Sequence, residues 1–200
     1  MAEPIAFYFD FSSPYGYLAA QRIDELGTRH GRAVAWKPFL LGAVFKTTGQ
    51  QPLLGIPLKG DYGRRDMERS ARLLGVPFTI PSVFPFMSVA ACRAFYWLSD
   101  RNAEKAKVLA KTLYAAAFAG GRDISSARAV VEIAESVGID GTELAEALRD
   151  PAVKDRLRSE VDSITAAGVF GSPFIVVDGE PFWGHDRLEQ VEKWLETGGW

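Results

Sequence analysis

Among 200 residues there is one cysteine, Cys92. A lone thiol excludes an internal disulfide, a C-x-x-C redox pair and a cysteine-rich zinc site. Histidine is almost as scarce. The two present, His30 and His185, stand far apart and form neither a metal-ligand spacing nor a recognisable triad motif, so no metal is expected. No apolar run reaches the length of a membrane span. The opening MAEPIAFYFDF has no basic n-region and no long apolar stretch, so it does not read as a signal peptide, and a cytoplasmic location is expected. Nor does charge of one sign dominate: 23 basic residues meet 25 acidic ones, for a net charge of -2. No overall basic field is available to hold nucleic acid or an anionic membrane.

What is present is ordinary globular composition, 48% hydrophobic and 24% charged. Ile5 to Phe9 is a short apolar run suited to a buried strand. Asp10 to Ser13 is turn chemistry, and Pro14 fits the first position of a helix. Tyr15, Leu18, Ala19, Ile23 and Leu26 predict one helix ending near Gly27 or Gly31, followed by a strand over 33–36.

The middle of the chain differs. A Gly-, Pro- and Gln-rich loop over 49–60 leads into helix after helix. Met87 to Leu98, Ala106 to Ala117 and Ala127 to Val137 all follow the helical spacing of apolar residues. Asp150-Pro151 opens another helix as cap plus first turn. After it, Pro173 to Val177 is a dense apolar run, Asp178-Gly179 is a hairpin signal and Glu180 to Trp183 the return strand. Asp186 and Glu189 have the spacing of a capping box opening a last helix.

The order is therefore β-α-β, a helical block, then β-β-α. The economical topology is an α/β thioredoxin-like domain (1–45 plus 169–200) carrying a large all-helical insertion (46–168), the arrangement of the DsbA-like branch of that fold. Charge follows the same division: 1–45 is neutral, and 169–200 holds two cations against six anions. The start of the insert, 46–72, holds six cations against three anions, a local surplus suited to an anionic substrate as well as to a solvated helix face.

In this fold the turn after the first strand opens the active-site helix, whose N-terminal N–H groups favour an anion such as a thiolate. Here the C-x-x-C slot reads Ser13-Pro14-Tyr15-Gly16. Disulfide exchange by the chain's own thiols is impossible there, so a thiolate has to come from elsewhere. Serine at such a position is also a common helix N-cap.

The stretches FDFSSPYGYLA (9–19), LGAVFKTTGQQP (41–52), KGDYGRRDMERSARLLGVPF (59–78) and FGSPFIVVDGEPFWGHDRLE (170–189) resemble the 2-hydroxychromene-2-carboxylate isomerases, relatives of the kappa-class glutathione transferases. The resemblance runs through nearly the whole chain, in order. It implies glutathione as cofactor, with its sulfur at the helix N-terminus and Ser13 as the catalytic serine, donating a hydrogen bond to that sulfur. Pro14 and Tyr15 belong to the same motif. Ser172, before the proline of the cis-proline loop, would pair with the cysteinyl part through its main chain. Trp183, Gly184, His185 and Asp186 match the family's WGxD loop, with Asp186 placed to hold the γ-glutamyl ammonium while adjacent N–H groups meet its carboxylate. Gln50 stands where many relatives carry asparagine, so its contact to a glutathione carboxylate has a different reach. Lys46, Lys59, Tyr62, Arg65 and Asp66 lie in the matched stretches, and Lys46, Lys59 and Tyr62 are chosen for an anionic aromatic substrate.

The implied reaction is isomerisation of 2-hydroxychromene-2-carboxylate to trans-o-hydroxybenzylidenepyruvate in aromatic hydrocarbon catabolism. The thiolate adds to the conjugated double bond, rotation follows, and elimination regenerates glutathione. A homodimer is implied by the same resemblance. The alternatives are a kappa-like glutathione transferase or peroxidase, and a non-catalytic thioredoxin-fold binding module. Cys92, on an apolar helical face, is expected to be inert packing.

Overall fold

The computed structural model describes residues 3–200. Strand β1 (Ile5–Phe9) alternates buried and half-buried residues, with Ile5, Phe7 and Phe9 on the fully buried face. It is followed by α1 (Pro14–Ala20), α2 (Ile23–Arg29) and β2 (Val34–Pro38). The helical region comprises α3 (Leu41–Thr48), α4 (Lys59–Leu74), α5 (Val89–Ser99), α6 (Ala103–Phe118), α7 (Ala127–Glu135), α8 (Gly141–Ala147) and α9 (Pro151–Ala166). The chain closes with β3 (Phe174–Val177), β4 (Glu180–Trp183), a short 3-10 turn over His185–Arg187 and α10 (Leu188–Thr197).

The two flanks meet in one four-stranded sheet of order β2-β1-β3-β4. β1 runs parallel to β2 and antiparallel to β3, and β3 pairs antiparallel with β4. The hairpin turns on Asp178 (φ 51°) and Gly179 (φ 89°), both in the left-handed region that a two-residue hairpin requires. Thus the β-α-β and β-β-α halves join as a thioredoxin-type sheet with the helices between them.

One core runs from the sheet into the helical region. The Phe9 ring meets Phe95 of α5 at 6.1 Å and Tyr114 of α6 at 5.6 Å between centroids. Phe118, one turn on from Tyr114, carries the stack onward to Phe78, Phe84 and Phe86. Helix α3 spans residues 45 and 46, where the insertion was expected to begin. Its first N–H, from Leu41, donates to the Asp10 carboxylate at 2.7 Å, so this helix is tied to the sheet side.

Three local expectations are corrected. The single helix expected from Pro14 is two, because the Gln21 and Arg22 amides bond three residues back, to Leu18 and Ala19, which tightens the chain and redirects it. Met87 lies before α5 and is 70% exposed, so it does not belong to that helix's apolar face. Asp186 does not cap α10; it lies inside the 3-10 turn, and Arg187 occupies the N-cap position without a side-chain bond.

Candidate active site

Local chemistry builds the site from the turn after β1. Ser13 has extended backbone angles and its Oγ accepts the Gly16 N–H at 3.0 Å, a helix N-cap. The same hydroxyl donates to the Ser172 carbonyl at 2.9 Å, in a region where Ser13 is 5% exposed. The Ser172-Pro173 peptide is cis. The β1–β3 register sets Ala6 against Val176 and Tyr8 against Phe174, which continued would set Asp10 against Ser172. Side chains interrupt that ladder. The Asp10 N–H donates to Ser172 Oγ at 2.9 Å, the Asp10 carbonyl accepts Tyr114 Oη–H at 2.9 Å, and the Ser172 N–H has no partner among the described residues. An open peptide edge of this kind is what a peptide-like ligand pairs with.

Asp10 is the residue that sequence reasoning missed. Its buried carboxylate accepts from the Ser12 N–H (2.8 Å), the Ser88 hydroxyl (2.7 Å) and the Leu41 N–H (2.7 Å). It therefore fastens the α1 turn, the start of α3 and the residue before α5 to one point. Burial pushes its carboxyl pKa up, and those three donors pull it partly back. Its only sequence signal was a carboxylate directly after an apolar strand, which reads equally well as a turn residue.

These elements enclose a cleft of about 1480 Å³ between the sheet side and the helical region. Ser13, Pro14, Tyr15, Lys46, Gln50, Lys59, Ser172, Trp183, Gly184, His185 and Asp186 all line it. Tyr62 does not: it lies at the solvent margin of α4, 63% exposed, with the Arg69 guanidinium over its ring at 5.7 Å. Arg65 likewise stays outside, whereas Asp66 lines the cleft. Tyr15 crosses it, donating to Asp66 of α4 at 2.7 Å and stacking on His185 at 5.1 Å. Burial, and then the Asp66 bond, push the Tyr15 pKa upward, so the phenol stays protonated. Burial also lowers the His185 pKa, with the charge of Arg22 acting in the same direction against Asp186 and Asp66. The Gly184 N–H donates to the Pro173 carbonyl at 3.1 Å, which holds the WGHD loop beside the cis peptide.

A serine-capped helix facing a cis-proline loop, on a β2-β1-β3-β4 sheet with helices inserted between its halves, defines a thioredoxin-fold protein of the DsbA type with no thiol at the helix start. The family model of the DSBA-like thioredoxin domain matches residues 4–196. A 2-hydroxychromene-2-carboxylate isomerase from Sphingobium xenophagum is 32% identical over 98% of this chain and 99% of its own. A solved structure of a 2-hydroxychromene-2-carboxylate isomerase superposes with a TM-score of 0.87 at 27% identity, over 96% of this chain and 94% of that one. A kappa-class glutathione S-transferase of Caenorhabditis elegans is 26% identical over 96% of this chain and 90% of its own. The chain belongs to the DsbA-like thioredoxin family and, within it, to the 2-hydroxychromene-2-carboxylate isomerase family, with the kappa-class transferases as relatives.

Proposed function

We propose that this protein isomerises 2-hydroxychromene-2-carboxylate to trans-o-hydroxybenzylidenepyruvate with glutathione as cofactor, in the breakdown of aromatic hydrocarbons. One observation carries the reading. Ser13 stands at the helix start where a redox relative carries its thiol, while the chain's own thiol, Cys92, is completely buried with a pKa well above the ordinary thiol value. The reacting sulfur must therefore arrive on a ligand.

The residues present suit glutathione. The cleft exceeds the roughly 300–1,000 Å³ of a drug-sized site, which leaves room for a tripeptide and a second molecule. The open Ser172 peptide edge suits the cysteinyl residue, and Gln50, Trp183, Gly184, His185 and Asp186 surround the two arms. Leu40, Phe45, Leu54, Phe84 and Phe86 give the cleft an apolar wall for a fused ring.

When bound, glutathione supplies a thiolate able to add reversibly to a conjugated double bond and leave again. The protein's part is to make that sulfur anionic and to hold the acid against it. A free thiol of pKa about 8.5 is only roughly 3% ionised at pH 7, and lowering it by about two units takes about 2.7 kcal/mol. A helix N-terminus supplies up to about 2 kcal/mol. A hydrogen bond to a charged group supplies about 1.5–3 kcal/mol. Ser13 offers the second of these at the end of α1, which offers the first. Lys46 and Lys59, exposed and without carboxylate partners, take the substrate carboxylate. The apolar wall keeps water from the ring and strengthens each of these interactions.

The test is the isomerisation rate on thiol-free protein with and without glutathione. A rate that requires glutathione and leaves its concentration unchanged supports the reading; no rate in either condition defeats it. The kappa-class relatives favour one second reading, a transferase that consumes glutathione as it forms a conjugate. Product analysis separates the two by stoichiometry. A cytoplasmic homodimer belongs to the same reading. No helix of the described residues is long and apolar enough to cross a membrane, and light scattering checks the dimer.

A further inference from the structure

Charge in the cleft is matched, among the described residues, except at four places: the cations Arg22, Lys46 and Lys59 and the carboxylate of Glu189. Asp66 is held by Tyr15 and Arg69, Asp186 lies 3.4 Å from Arg187, and Asp10 is enclosed by its three donors. Of the cleft cations, Arg22, Lys46 and Lys59 have no carboxylate within salt-bridge distance among the described residues. Glutathione and a monoacid substrate together bring three carboxylates. Two lysines were expected from the sequence; Arg22 was not.

Arg22 lies at the junction of α1 and α2, where the negative end of one helix meets the positive end of the next. The two helix dipoles therefore give its guanidinium little net hold. The residue is half-buried, its side chain makes no hydrogen bond among the described residues, and it lines the cleft. Helix α1, which ends just before it, packs against the 3-10 turn that carries Asp186, with Tyr15 stacked on His185, and Arg22 and Asp186 line the same cleft. Lys46 and Lys59, by contrast, come from α3 and the start of α4 in the helical region. In that 3-10 turn the Arg187 amide is spent on the Gly184 carbonyl and the Leu188 amide on the His185 carbonyl, which leaves the His185 and Asp186 amides as its main-chain donors, with no full charge among them.

A zwitterionic amino-acid end needs a cation and an anion side by side. The γ-glutamyl arm of glutathione carries one, and it is the longer of the two arms leaving the cysteinyl residue. We propose that Arg22 binds the α-carboxylate of the γ-glutamyl residue, with Asp186 on its ammonium, and so fixes the direction in which the tripeptide lies along α1. The glycyl carboxylate then falls to Gln50. This inference rests on the glutathione reading and goes beyond it by assigning the orientation to a residue outside the family motifs.

Calorimetric titration with glutathione and with γ-glutamylcysteine, which keeps the glutamyl end and lacks glycine, tests it. Arg22→Gln weakens both ligands by the same factor, roughly tenfold to a hundredfold, the loss typical of a charged hydrogen bond. Arg22→Lys recovers most of that loss. Gln50→Ala weakens glutathione more than γ-glutamylcysteine. The ligand-free melting temperature of Arg22→Gln stays within about 2 °C of wild type, as for an unpartnered surface residue. A larger fall overturns the claim that the guanidinium has no partner. Undiminished glutathione binding by Arg22→Gln overturns the proposal, as does a loss confined to glutathione, which would assign Arg22 to the glycyl end. Wild-type protein that binds no glutathione defeats the cofactor reading itself, an outcome distinct from any result with the variants.

Discussion

The Ser13 hydroxyl donates its proton to the Ser172 carbonyl across 2.9 Å while accepting the Gly16 N–H. Its one proton is spent inside the chain, so donation to a ligand sulfur requires the O–H to rotate away from Ser172. The Ser172 carbonyl is then free for the ligand's own N–H, and the two exchanges happen together. Ser13 thus ties the helix start to the cis-proline loop through a single hydroxyl.

Ser13→Ala removes both functions. Loss of the charged hydrogen bond lowers the isomerisation rate about tenfold to a hundredfold. Loss of the cap costs about 1 kcal/mol, or roughly 2–4 °C in melting temperature for a chain of this length. Steady-state rates and a thermal melt measure the two, and an ultraviolet titration of the bound thiolate shows its pKa rising in the variant. A variant with an unchanged rate refutes the catalytic role even if it melts lower.

Gly16 is closely packed. A Cβ there would lie 2.5 Å from Tyr114 Oη and 2.9 Å from Ser172 Oγ. Tyr114 is completely buried and bonded to the Asp10 carbonyl, so it cannot swing aside. Gly16→Ala is therefore expected to cost about 1–3 kcal/mol, as overpacking does. Tyr114→Phe removes the obstructing oxygen, so the double variant is more stable than the sum of the single losses predicts. Strict additivity in a denaturant-melt cycle contradicts this packing account.

Asp10 gives the stability a pH dependence of known sign. Burial raises its folded pKa above the ordinary value of 3.8, so the folded state binds the proton more tightly than the unfolded chain. The stabilisation linked to that proton is complete below the unfolded pKa and is lost as pH rises through the folded one. Asp10→Asn abolishes the titration while setting an amide N–H₂ against three donors, at a cost of about 1–3 kcal/mol. The melting temperature of wild type minus that of Asp10→Asn should therefore fall as pH rises above about 4 and level off above the folded pKa. A difference that grows with pH contradicts the assignment.

Cys92 is enclosed by the core, its sulfur 3.7 Å from the Phe39 carbonyl and 3.9 Å from Ser88 Oγ. Native protein should leave a thiol-reactive dye unconsumed, release one equivalent in denaturant, and fail to reduce insulin disulfides. Rapid labelling of the native chain would show that the thiol is accessible.

Much of this was legible in the sequence where a short-range rule decides the outcome. Asp178-Gly179 makes its hairpin, Asp150 caps α9 on the Ala152 N–H, and the flanking strands form the thioredoxin-type sheet. What could not be read depends on tertiary context. No glycine or proline marks the break at Gln21–Arg22, and α8 is about two turns, capped by Asp140, with too few apolar residues to show a period. The burial of Asp10 is set by partners at Leu41 and Ser88, and the exposure of Tyr62 by its place at the margin of α4. Arg22 lies in the break itself, so no helical-face argument could have aimed it at the cleft.

The space beside Gly16 also bears on what this fold can become. Gly16 holds the place of the second thiol of a redox pair, and Tyr114 and Ser172 have closed over it. Cysteine at 13 alone would have no partner sulfur; cysteine at 16 alone would collide; a smaller residue at 114 alone would leave a void in the core. Each single step back toward disulfide chemistry is a loss, and only simultaneous change at several positions reaches it. The scaffold is ratcheted: with that space closed, no single substitution opens it to a second thiol.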